Sequence, residues 1–282
     1  MNLALTYDRL FPEHRRAGLE HAMVYLSIAG FAVHLGLVFV ENVLANPPAW
    51  VAIAGHNYFA AIYTPFSFIL FYEVLMLIWA LPESTTQSIG KQYEIISLIF
   101  IRAVFKDIAS VENIDQLQQL TPEAIPVLLD MTGGLGMFFL VTIFRRASQS
   151  RTHFDTASEA SIPLKQFISR KKTLALGLTL LVVSMAAYHL AVEGLPGLRL
   201  FYTDLFTVMI FTDVLVLIFS LLVSDRYELV FRNAAFVIST ILIRFSLAIA
   251  LPYSVALALF GMAFGILTLL VYNYHSRLRA AT

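Results

Sequence analysis

Two acid–base pairs recur along the chain at almost equal spacing. Glu73 precedes Arg102 by 29 residues, and Asp213 precedes Arg244 by 31. All four lie in runs rich in Leu, Ile, Phe and Val. A charge within a bilayer costs about 2.5–3.5 kcal/mol on insertion scales, so each needs a partner or a task. Two chemistries suit the pattern. The pairs are fixed ion pairs that lock neighbouring helices, or titratable acids beside an ion or proton path whose charge state the Arg controls. Asp130 and Asp204 are further acids in apolar runs with no obvious cation. Both are shallow in their segments and mark the outer mouth of any such path.

The histidines suggest a different chemistry. His34, His56 and His189 fall at similar depth, as bis-imidazole ligation of one haem b requires. Hydrogen bonding between helices or in the headgroup zone accounts for the same residues. The sequence has no His-x-x-x-His or Glu-x-x-His at ligand spacing, so no other metal or cofactor is expected. It has no cysteine, which removes thiol nucleophiles, disulfides and Cys-based zinc or iron–sulfur sites. No span carries the mid-helix Lys that a retinal protein needs. No Walker, Gly-rich nucleotide or Ser-His-Asp motif falls in an aqueous loop, so no enzyme activity is expected.

The elements that position these residues follow from composition. Of 282 residues 59% are apolar and 13% charged, and the mean hydropathy is +0.76. Soluble domains average roughly 25% charge. Nineteen Lys and Arg balance nineteen Asp and Glu, so there is no basic surplus for nucleic acid. The fold class is therefore an all-α polytopic membrane bundle. A span needs about 20 mostly apolar residues. Eight are predicted: Glu20–Ala45, Val51–Leu81, Ile89–Ala109, Ala124–Phe144, Lys172–Val192, Leu200–Val223, Leu229–Leu251 and Pro252–Tyr274. Before them, residues 1–19 form a short interfacial segment with Leu3, Leu5, Leu10 and Phe11 toward lipid and Arg9, Arg15 and Arg16 toward headgroups.

Lys and Arg partition sharply between the two sides of these spans. Fifteen lie on the side of the N-terminus, the linker after the fourth span and the C-terminus. Only Lys106 and Arg199 lie opposite, and Arg102 and Arg244 are inside helices. By the positive-inside rule both termini are cytoplasmic. The polar stretch 147–171, with Pro163, reads as a cytoplasmic linker. Residues 277–282 are a cytoplasmic tail. The acidic loop Ser110–Glu123 is expected to form a short surface helix outside.

The linker separates two similar halves, 20–146 and 172–276. Phe71-Tyr72-Glu73-Val74-Leu75-Met76-Leu77-Ile78-Trp79-Ala80 matches Phe211-Thr212-Asp213-Val214-Leu215-Val216-Leu217-Ile218-Phe219-Ser220 at five positions, with an acid kept as an acid. Ser97–Arg102 matches Ser239–Arg244 in the following span. His34-Leu35 and His189-Leu190 match more weakly, as do Gly136 and Gly265. Four spans per half give a parallel repeat with a pseudo-two-fold along the membrane normal.

Each half resembles the bacterial phosphate-starvation-inducible E (PsiE-like) family of four-helix inner-membrane proteins. The resemblance rests on Phe71-Tyr72-Glu73 and on a third helix ending Arg102-Ala103-Val104-Phe105-Lys106-Asp107. The second half keeps Asp213 and Arg244 but has Ile249 where Asp107 would match. The resemblance implies topology and location rather than an activity.

Packing signals come last. Gly133, Gly134 and Gly136 cluster on the fourth span. Gly261 and Gly265 form a small-xxx-small face on the eighth, suited to a second copy or a membrane-complex partner as well as to contact between the halves. Pro65 is expected to kink the second span. Trp50 and Trp79, at its two ends, suit interfacial anchoring. Three functions remain: a small-ion or proton channel or transporter, a non-enzymatic accessory subunit, and a haem-binding redox subunit.

Overall fold

A computed structural model describes residues 3–44, 48, 51, 55–109, 124–149, 162–193, 198–222 and 226–281. Helices among them are α1 (Leu3–Leu10), α2 (Glu13–Val43), α3 (Ala60–Trp79), α4 (Thr85–Ala109), α5 (Ala124–Gln149), α6 (Ile162–Glu193), α7 (Leu198–Leu221), α8 (Tyr227–Ser246) and α9 (Tyr253–Ala281). The described residues contain no strand. This is what lipid demands, since a helix satisfies its own backbone groups.

Seven of these helices, α2, α3 and α5 to α9, are long and apolar enough to cross a membrane. The third expected span is also helical, as α4. Its start is set by Ser84, which accepts the Gln87 amide at 3.4 Å and donates to the Gln87 side-chain oxygen at 2.9 Å. It carries Lys91, Glu94, Arg102, Lys106 and Asp107 and is not among the seven. Several find partners on other helices or turns. Lys91 meets Glu83 at 2.5 Å, and Glu94 accepts from Arg145 Nε at 2.7 Å.

Other boundaries differ from expectation. The second span starts nine residues later than Val51, at Ala60, and its helix runs through Pro65 to Trp79. Pro163, expected in the linker, lies in the first turn of α6, where the missing N–H costs nothing. The loop 110–123, most of the linker (150–161) and Trp50 lie outside the described residues.

The chain groups into two compact units. The first comprises residues 1–10, 77–96 and 136–282. In it α8 packs on α9 and α7, and α6 packs on α7 and α1. Tyr7 of α1 is buried and donates to the Trp79 carbonyl at 3.1 Å. Trp79 is itself 2% exposed, so it is a core residue here and not an interfacial anchor. Lys172 adds an ion pair to Asp8 at 2.8 Å. Lys171 is buried and donates to the Glu83 carbonyl at 2.6 Å.

The core of this unit is aromatic and polar together. Tyr93 meets Phe144 edge-on at 4.9 Å, and Phe144 meets Phe236 at 6.1 Å. The Tyr93 hydroxyl bonds Ser239 Oγ at 2.5 Å, and Ser239 donates to the Gly261 carbonyl at 2.6 Å. Glycine makes this possible. A Cβ at Gly265 would overlap the Tyr93 hydroxyl, and one at Gly261 would press on Ile243 and the Ser239 carbonyl. Gly136 sits against Leu259 in the same way.

The second unit comprises residues 11–76 and 97–135. Gly30 of α2 lets the Phe68 ring of α3 approach. Phe66 and Phe105 stack at 4.4 Å between α3 and α4. Gly134 of α5 lies on the backbone of Ile101, where a Cβ would stand 3.2 Å from the Ile101 nitrogen. Gly133 is buried beside it. Helix α2 leaves Tyr25, Ile28, Val33, Phe39 and Val43 exposed, an apolar face of the kind that lipid covers.

Candidate functional site

Both expected ion pairs form, one within each unit. Glu73 sits in the last two turns of α3 and Arg102 two turns before the end of α4. The guanidinium donates through Nη1 to one carboxylate oxygen and through Nη2 to the other. Such fork-to-fork pairing is the strongest geometry available to these groups. The Glu73 side chain is 7% exposed and that of Arg102 17%.

Asp213 and Arg244 are buried more completely, at 5% and 4% side-chain exposure. Arg244 lies in the last turn of α8, where the helix dipole favours a cation. Its Nη2 is 3.0 Å from Asp213 Oδ2 and donates to Gln92 Oε1 at 2.7 Å. Asp is one methylene shorter than Glu, and the shorter acid does not fork across the guanidinium. Arg244 Nη1 is left without a partner. Beside it lies a cavity of about 10 Å³ lined by Leu77, Gln92, Ile96, Phe206, Thr240, Ile243 and Arg244. Gln92 gave no signal in the sequence, since an amide in a helix is generic until its neighbour is known.

Asp130 is buried in α5. The Asp107 carboxyl of α4 lies within interaction range of it. An ionised carboxylate has only acceptors. Two neighbouring carboxyls can therefore bond to each other only by sharing a proton. Lys106 contributes a positive charge felt by both groups. The sequence held a signal for this pair. Asp107 follows Arg102 by five residues toward the end of α4, and Asp130 lies near the start of α5, so a short connection brings the two ends together.

Asp204 is exposed, and its partner is His189, with Nε2 3.3 Å from Oδ2. His189 is buried and meets the Phe201 ring edge-on at 6.3 Å. The other two candidate haem ligands also have polar neighbours. His34 Nδ1 bonds Thr64 Oγ1 across α2 and α3. His56 Nε2 lies 3.8 Å from Glu41 Oε1. Among the described residues no group of three or more His, Asp or Glu stands ready for a metal.

The arrangement thus separates two kinds of acid. Glu73 and Asp213 are each held by a guanidinium, which stays protonated in proteins. Asp107 and Asp130 are neighbours, with the Lys106 charge near both. Comparison with protein-family models, curated proteins and solved structures finds no match to this chain.

Proposed function

We propose that this is an inner-membrane protein of eight spans, with both termini cytoplasmic, that conducts or couples protons through the Asp107–Asp130 pair. In this reading α4 is the third of the eight spans, its charges neutralised by neighbouring helices, and the two halves are a PsiE-like duplication. The Arg-paired acids, first candidates for the path, hold the bundle. The observation that carries the proposal is the placement of the Asp107 and Asp130 carboxyls beside each other. A proton leaving Glu73 or arriving at it would strand a guanidinium, whereas a carboxyl pair gains or loses a proton with no fixed partner to abandon. Asp204 and His189 offer a wetted acid–imidazole pair of the same class.

The test is proton flux into proteoliposomes carrying a trapped pH dye. Flux driven by a potassium diffusion potential is expected in the wild type, with a loss of at least tenfold in Asp107→Asn and Asp130→Asn. Folded variants that conduct like wild type would remove the pair from any transport role.

A second reading, an accessory subunit, is favoured by α2. Only 11% of its apolar window is buried within the chain. A helix so little used by its own bundle suits lipid or another subunit equally. A partner that copurifies from native membranes in mild detergent, and is lost when α2 is replaced by polyleucine, would support that reading.

A further inference from the structure

We propose that Glu41 and His56 form a binding site for a divalent transition-metal ion of the zinc class. Glu41 lies in the last turn of α2 and is 7% exposed. Its Oε2 is buried with no hydrogen-bond partner. A buried, unneutralised carboxylate is costly, so this group calls for a cation. The chain from residue 45 to 55 offers none, as it contains no Lys, Arg or His.

His56 supplies the second ligand, and its place is built. Gly55 adopts φ +74°, a left-handed conformation that favours glycine, and turns the chain back toward α2. Asn42, next to Glu41, donates to the His56 carbonyl at 3.0 Å and to the Val38 carbonyl at 2.8 Å. This pins the His56 backbone against the helix that carries the acid, as outer-shell hydrogen bonds do at metal sites. His56 Nε2 then stands 3.8 Å from Glu41 Oε1, too far for a hydrogen bond. Two ligands each about 2.1 Å from a tetrahedral zinc lie about 3.4 Å apart, so a shift of about 0.4 Å brings both onto one ion. The His56 side chain is 73% exposed and free to make that shift. Its exposure also leaves the remaining coordination positions open to water.

Two other His–carboxylate pairs serve as internal comparisons. Asp204, beside His189, is 58% exposed and so is solvated. Glu228, 3.4 Å from His275, has further interactions of its own. Among the described His–carboxylate pairs, the Glu41 pair alone combines burial with an orphaned oxygen.

The test uses the full chain in detergent and zinc ion alone. Diethylpyrocarbonate modification is followed by mass spectrometry at each histidine. Zinc is expected to slow modification of His56 in the wild type and to need at least tenfold higher concentration in Glu41→Gln. Because Glu41→Gln removes a buried charge, it is expected to fold. If it does not, His56→Ala, at an exposed position, must lower bound zinc by one equivalent. No protection of His56 in the wild type, equal protection in Glu41→Gln, or undiminished zinc in His56→Ala would overturn the site.

Discussion

In one unit Ile101 packs on Gly134 while the next residue, Arg102, reaches Glu73. In the other Ile243 packs on Gly261 while the next residue, Arg244, reaches Asp213. The two regions use one device. A glycine draws a neighbouring helix close beside the arginine, and the arginine neutralises an acid one helix earlier. The differences are instructive. Glu73 forks onto its guanidinium unaided, whereas Asp213 does not, and Gln92 adds an acceptor to the same Nη2 while Nη1 stays unpartnered. The carboxyl pair occurs in one region only. The offset of 142 that relates Arg102 to Arg244 places Ile249 opposite Asp107. The offset of 127 that relates Gly134 to Gly261 places Leu257 opposite Asp130. What both regions share reads as scaffold, and what one has alone reads as function.

The largest expected effect breaks the shared device where it is driest. Arg244→Met leaves Asp213 buried without its cation and is expected to cost about 3–5 kcal/mol in detergent unfolding. Arg102→Met is expected to cost less, because that pair retains contact with solvent. Equal losses would undo the distinction between the pairs. Gln92→Leu removes a hydrogen bond to a charged group and is expected to cost about 1.5–3 kcal/mol. Adding Asp213→Glu should recover part of this by letting the acid fork. No recovery would show that side-chain length is not what separates the two pairs.

Smaller effects test the packing. Gly265→Ala drives a methyl into the Tyr93 hydroxyl and is expected to cost about 1–3 kcal/mol. Gly36→Ala, where a Cβ meets nothing within 4 Å, should stay within about 0.5 kcal/mol. Asp204→Asn is expected to have a similarly small effect. Its solvated pairing with His189 is worth about 0–1 kcal/mol.

The acid–Arg pairs were legible in the sequence because a bilayer penalises charge. Four charges in apolar runs at matched spacing must neutralise one another or serve a path, and either task brings acid and Arg together. The helices were legible for the same reason, α4 among them, expected from Ile89 to Ala109 and observed from Thr85 to Ala109, although its five charges need partners on other elements. Gln92 was not legible, since its contact with Arg244 joins residues 152 apart and an amide has no charge to announce it. Gly261 and Gly265 signalled close approach correctly, but not to what. Within the chain they admit α8 and the Tyr93 hydroxyl. Trp79 misled because an indole at a helix end usually meets the headgroups. Here it is buried, and Tyr7 of α1 bonds its backbone carbonyl.

In the proposed mechanism Asp107 and Asp130 share one proton while the Arg-paired acids take none. Infrared spectroscopy of the full chain in nanodiscs at neutral pH tests this most directly, since a protonated carboxyl absorbs apart from a carboxylate. The expected result is a protonated-carboxyl band that is lost in both Asp107→Asn and Asp130→Asn and persists in Glu73→Gln. A band missing from the wild type, or one that survives both Asn substitutions, would contradict it.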